Sequence, residues 1–342
     1  MRSFYLLLFF IGLTSFSCNK KPGIKPTTPV PVIDSFFAKG ADISWVTQME
    51  SEGIKFYNSA GTQQDLFQIL KDKGINSIRL RVWVNPANGW CNMQDVLAKA
   101  LRAKNAGMKI LMDFHYSDSW ADPGQQTKPA AWANENITQL ISSVSEHTLS
   151  VLNFLKQNNI TVDWVQVGNE TNDGMLWPEG RASTGMGNFV ALINSGYDAV
   201  KSVFPSAKVI VHISNGFDNT LFRWIFDGLK TNNGKWDVIG MSLYPSAGNW
   251  PQLDSECLAN MDDMMSRYNK DVMICEVGMN SKDSVACKSF ISDIIAKTRM
   301  ANNSKGLGGF YWEPECYNNW NNYSLGAFNS SGQPSTALDG FK

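Results

Sequence analysis

Eight stretches rich in Val, Ile, Leu and Met alternate with amphipathic stretches through most of this 342-residue chain, and few folds accept such a pattern. The strand-like stretches are Ala38–Ile43, Ser77–Trp83, Lys109–His115, Val162–Gly168, Lys208–Ile213, Trp236–Leu243, Val272–Val277 and Gly308–Trp312. Helical periodicity occupies Asp65–Lys73, Met93–Asn105, Ile137–Gln157, Asn188–Val203, Leu221–Leu229, Ser255–Tyr268 and Ser284–Met300, with a faint last helix in the tail. Glycines at Lys73-Gly74 and Ala106-Gly107 supply the expected C-terminal stops. The strands read as continuous apolar runs, so both faces should be covered, as in a parallel sheet under helices. Eight such units predict an α/β fold, a closed (β/α)8 TIM barrel forming a single catalytic domain over residues 36–342. A doubly wound open sheet is the alternative.

The N-terminus reads differently. Arg2 precedes a mostly apolar run from Phe4 to Phe16, too short for a stable membrane span, and Ser15 and Ser17 lead to Cys18. Residues 1–18 resemble a bacterial lipoprotein signal peptide whose cysteine, Cys18, is acylated after cleavage; an ordinary secretory signal is the alternative. Residues 19–35 hold four prolines and almost no large apolar side chains, the composition of an extended linker reaching about 50 Å. An exported protein held to the outer membrane only by this lipid anchor is the expectation, with its membrane face left open.

Net charge is −1 and no basic run appears, which argues against a nucleic-acid partner. Twelve tryptophans, many beside Asn, Asp and Gly, suit a cleft where flat rings stack on sugar faces. With Cys18 lipidated, five cysteines remain, so at least one is free. The absence of C-x-x-C spacing or His/Cys clustering gives no support for a metal site, and nothing calls for a cofactor. A monomer is expected.

Chemistry concentrates at the C-terminal tips of the strands, where a barrel of this kind carries its active site. Those tips are Asp42, Arg81 with Trp83, His115, Asn169 with Glu170, His212, Tyr244, Glu276 and Trp312. Glu170 and Glu276 each follow an apolar run, and desolvating a carboxylate there is costly without a function to require it. Paired carboxylates flanking a scissile bond are the working parts of glycoside hydrolases.

Several stretches make the reading more specific: Phe37-Ala38-Lys39-Gly40-Ala41-Asp42-Ile43-Ser44, Ile78-Arg79-Leu80-Arg81-Val82-Trp83, the run from Asp113 to Gly124, Gln166-Val167-Gly168-Asn169-Glu170, and Tyr311-Trp312-Glu313-Pro314. Together they resemble the arabinogalactan endo-β-1,4-galactanase family, glycoside hydrolase family 53, from about residue 36 to the C-terminus. The resemblance implies endo-hydrolysis of β-1,4-galactan, a polysaccharide substrate, with retention. It makes Glu170 the general acid/base and Glu276 the nucleophile. It implies that Arg81 keeps Glu276 ionised, that Tyr244 orients it, and that Asn169 binds the sugar 2-hydroxyl. Trp312 is expected to floor the subsite nearest cleavage, and His115, Asp118 and Trp120 to line the cleft. Asp42 is read as a hydroxyl-binding carboxylate, with a structural acceptor as the alternative. As in some relatives, a Cys287–Cys316 disulfide is implied, whereas pairing of Cys91, Cys257 and Cys275 stays open. The alternatives are a β-mannanase or β-glucanase of the same clan, or a non-catalytic surface glycan-binding protein.

Overall fold

A computed structural model describes residues 36–342. The signal peptide of residues 1–18, Cys18 with its lipid, and the linker of residues 19–35 lie outside the described residues. Strands β1 (Ala38–Asp42), β2 (Ser77–Val82), β3 (Lys109–Phe114), β4 (Trp164–Val167), β5 (Lys208–Ile213), β6 (Val238–Leu243), β7 (Asp271–Val277) and β8 (Gly306–Trp312) form one closed barrel in sequence order. Every neighbouring pair is parallel, and β1 pairs with β8 from Ala38↔Gly308 to Asp42↔Trp312. That closing pair excludes the open-sheet alternative.

A short helix α1 (Val46–Ser51) lies in the loop after β1. The outer ring then comprises α2 (Leu66–Asp72), α3 (Met93–Asn105), α4 (Ile137–Gln157), α5 (Ala182–Val203), α6 (Asn219–Thr231), α7 (Trp250–Tyr268) and α8 (Ser284–Ser304). The faint tail helix is a 3-10 turn over Thr336–Phe341. Side chains cap the starts: Asp65, Asn92 and Asp218 accept from backbone amides of α2, α3 and α6, and Asn136 with Gln139 closes a capping box on α4. Helices α5, α6 and α7 begin earlier than their periodicity suggested, α5 and α7 by more than a turn. Pro251 sits in the first turn of α7, where its missing N–H costs nothing, and α5 carries a kink at Gly185 that disguises its first turn.

The interior is two-tiered. Ala38, Leu111, Trp164, Ile210, Val238, Met273, Cys275 and Phe310 fill the lower barrel. Gly40 leaves space for the Phe310 ring, since a Cβ there would stand 2.1 Å from Phe310 Cδ1. Above this plug, the inward positions become polar: Asp42, Arg79, Arg81, Asp113, His115, Gln166, His212 and Ser242 are all buried. The strands are therefore not uniformly apolar. In β2, Ile78, Leu80 and Val82 join the core packed under the helices, whereas Ser77, Arg79 and Arg81 alternate with them.

One irregularity positions a key residue. Met241 pairs with Ile274, but the next pair is Ser242↔Glu276, so Cys275 is skipped by a β-bulge in β7. Cys275 joins the barrel plug, and without the bulge its neighbour Glu276 would turn outward toward the helices. The bulge re-aims Glu276 into the barrel mouth.

The disulfide expectation is corrected. Cys287 and Cys316 are free buried thiols, as are Cys91, Cys257 and Cys275. Cys287, on α8, lies 3.7 Å from the Tyr311 hydroxyl, whereas Cys316 lies 4.0 Å from the Met49 sulfur of α1. The two sulfurs meet different partners, and burial pushes both thiols to higher pKa. Alkylation of the denatured, unreduced protein followed by peptide mapping should label both Cys287 and Cys316. A linked peptide pair recovered without reductant would contradict this.

Candidate active site

The end of β4 delivers Glu170 through a strained turn. Gly168 has φ +86°, where a Cβ would meet Thr171 Cγ2 at 2.6 Å, and Glu170 itself has φ +43°. Left-handed conformations in non-glycine residues are costly and persist where the surroundings over-determine them. Here Thr171 N–H donates to His212 O at 2.9 Å, Asn172 N–H donates to Glu170 O at 2.8 Å, and Gln126 Nε2 donates to Asn169 O at 2.9 Å. The Glu170 side chain then reaches the cavity, and its Oε1 accepts from Ser242 Oγ at 2.6 Å.

Glu276 arrives from β7 with both oxygens engaged. Oε1 is 2.9 Å from Arg79 Nη2, and Oε2 accepts from the Tyr244 hydroxyl at 2.7 Å. The expected arginine is therefore corrected from Arg81 to Arg79. Both alternate inward on β2, but Arg79 lies deeper and reaches Asp42, Asp113, Gln166 and Asn169 as well. Arg81 turns instead to Glu313 at 3.0 Å. Its Nε and Nη2 make no hydrogen bond, and its guanidinium lies over Trp120, Trp83 and Trp45 at 4.3, 5.2 and 5.6 Å. Three indole faces thus supply cation–π stabilisation.

Electrostatics separate the two glutamates. Burial first, then the charge of Glu276, push the Glu170 pKa up to about 8. Burial also raises that of Glu276, but the Arg79 guanidinium and the Tyr244 hydroxyl oppose it. A buried pair of this kind titrates as a unit, and the member without a cation in contact takes the proton. Of the two, Glu170 is the stronger proton holder and Glu276 the more readily ionised. Around Arg79, burial opposes its charge, but Asp113, Glu276 and Asp42 outweigh that and hold its pKa well above the usual value. Burial likewise works against the Asp113 charge, and Arg79 and His115 override it to lower its pKa.

A cavity of about 290 Å³ joins these groups, lined by His115, Trp120, Ala121, Asp122, Asn169, Glu170, Tyr244, Glu276 and Trp312. Larger grooves of about 460 and 490 Å³ lie elsewhere on the surface, but neither contains a buried carboxylate. His115 is fixed in orientation: Nδ1 accepts from Ala121 N–H at 3.1 Å and Nε2 lies 2.9 Å from Asp113 Oδ2. Asn169 Oδ1 accepts from Arg79, and its amide gives one hydrogen to Ala121 O at 2.8 Å. Trp312, Trp120, Trp45 and Tyr323 pack edge-on or tilted with centroids 4.9–5.8 Å apart, making one aromatic wall.

Two expected contacts fall elsewhere. Asp118 does not line the cavity, because its oxygens accept from the Asn85 and Ala130 amides at 2.8 and 2.9 Å and tie two loops together. Asp42 is fully buried, accepting from Ser44 N–H and Oγ and from Arg79; it is the structural acceptor, not a hydroxyl-binding group. Conversely, Arg79, Asp122 and Ser242 were not singled out. The signal for Arg79 was spacing: it stands two residues before Arg81, on the same face of β2.

The sequence profile described as glycosyl hydrolase family 53 matches residues 38–337. The arabinogalactan endo-β-1,4-galactanase of Thermothelomyces thermophilus is 35% identical over 329 residues, covering 89% of this chain and 98% of that protein. That of Humicola insolens is 33% identical over 328 residues, covering 89% and 98%. A solved fungal β-1,4-galactanase superposes with a TM-score of 0.82 at 32% identity, covering 90% of this chain and 99% of that one. The family 53 catalytic domain of Ignisphaera aggregans gives 0.81 at 30%, covering 92% and 98%. With its barrel, its paired glutamates and these relatives, the chain belongs to glycosyl hydrolase family 53.

Proposed function

We propose that this glycoside hydrolase cleaves β-1,4-galactosidic bonds within galactan side chains of pectin by double displacement with retention. The observation that carries the mechanism is the unequal pair: Glu276 in contact with the Arg79 guanidinium and the Tyr244 hydroxyl, and Glu170 making no ion pair of its own. Glu276 attacks the anomeric carbon while Glu170 gives its proton to the departing glycosidic oxygen. The glycosyl–Glu276 ester removes the negative charge that raised the Glu170 proton affinity, so Glu170 becomes a better-ionised base. Glu170 then takes a proton from water as that water attacks the anomeric carbon, which releases Glu276 and restores the pair. Retention requires the carboxyl groups to stand about 5–5.5 Å apart. Asn169 has a second amide hydrogen for the sugar 2-hydroxyl, Trp312 and Trp120 offer ring surface, and His115 lines the same cavity. Galactan as substrate rests on the printed activities of the fungal relatives. The lipoprotein-type sequence of residues 1–18 supports export and tethering to the outer membrane through Cys18.

On linear β-1,4-galactan the first products should be oligosaccharides of mixed length whose new reducing ends carry the β configuration. Monomer alone, or α products, would contradict endo action or retention. Glu276→Ala should abolish turnover with the fold intact by circular dichroism. Glu170→Ala should lower kcat by about 10²–10⁴-fold. Near-normal turnover in either variant would overturn the assignment.

The pH profile follows from the same pair. Glu170 must be protonated in the first step, so kcat/KM should fall as pH rises through about 8. Glu276 must be ionised, so kcat/KM should also fall on the acid side. A basic limb lying in the ordinary carboxylate range would contradict the assigned roles.

A further inference from the structure

Behind Glu170 runs a continuous line of hydrogen bonds whose direction is fixed by counting hydrogens. Arg79 Nε donates to Gln166 Oε1 at 2.7 Å, which pins the Gln166 amide and identifies its Nε2. That nitrogen carries two hydrogens and has two neighbours, Asp113 Oδ1 at 3.0 Å and His212 Nδ1 at 3.0 Å. If His212 carried its proton on Nδ1, directed at Asn169 Oδ1 3.0 Å away, one buried Gln166 N–H would be left without an acceptor. Asn169 Oδ1 needs no such donor, since Arg79 already supplies one. His212 therefore accepts on Nδ1 and donates from Nε2 to Ser242 Oγ, 2.8 Å away. The single Ser242 hydrogen is then committed to Glu170 Oε1.

We infer that His212 and Ser242 are positioning residues that make Oε1 of Glu170 a permanent acceptor, so the catalytic proton rides on Oε2 and the ionised form is stabilised. This rests on the reading of Glu170 as acid/base. His212 stays neutral throughout, because burial and the Arg79 charge depress its pKa against the pull of Asp113. The other charged or titratable groups around the line are His115 on the His212 side, and Glu276, Arg79, Asp122 and Tyr244 around Glu170.

Two measurements test it. With only three histidines in the chain, ¹⁵N spectra of the wild-type protein can assign the His212 tautomer; protonated Nε2 and bare Nδ1 are expected across the activity range, and protonated Nδ1 would overturn the inference. Ser242→Ala removes a donor to the carboxylate, and a hydrogen bond to a charged group contributes enough to shift a pKa by about one to two units. The basic limb of kcat/KM should move upward by about that much, with Ser242→Thr restoring it. An unmoved limb in Ser242→Ala would overturn the role of the hydroxyl while leaving the acid/base reading intact. High turnover in Glu170→Ala would instead sink that reading and not the tautomer.

Discussion

The buried guanidinium of Arg79 is the constraint on which the rest of the site depends. It touches Asp42 of β1, Asp113 of β3, Gln166 of β4, Asn169 just beyond that strand, and Glu276 of β7. Removing a cation from water is expensive unless its partners are numerous and well placed, and here they come from around much of the barrel mouth. Arg79 thereby favours the ionised form of Glu276 against the cost of its burial, and a charge on Glu276 raises the proton affinity of Glu170. Removing the guanidinium would leave three buried carboxylates without the cation they share.

The apolar plug beneath gives this cluster its setting. Phe310, Leu111, Ile210 and Met273 close the lower barrel, so the polar tier stands on a dry floor and opens only toward the mouth. In such surroundings charges act over short distances with little screening. The bulge in β7 is the second requirement. It allows Cys275 to belong to the floor and the very next residue, Glu276, to belong to the mouth.

Much of this was legible in the sequence because strand period and strand ends are local properties. Eight apolar stretches indicated the barrel, and polar strand tips indicated which end would carry chemistry. What remained hidden depends on neighbours distant in sequence. Arg79 and Arg81 share a face of β2, and only the closed barrel decides that the deeper one meets Glu276 while the other is caged by tryptophans. The bulge leaves no mark in Ile274-Cys275-Glu276, since a one-residue slip changes pairing without changing composition. Asp118 and Trp120 are close neighbours in one loop, yet one braces backbone amides and the other faces the cavity. Cys287 and Cys316 follow adjacent strands, but one thiol meets Tyr311 and the other Met49.

The central claim is that burial, together with the charge on Glu276, keeps Glu170 neutral. Carboxyl ¹³C titration of Glu170 in wild type and in Glu276→Gln measures this directly. The account predicts a midpoint near 8 in the wild type and a clear fall once the neighbouring charge is removed. A Glu170 that ionises at the same pH in both proteins would contradict it.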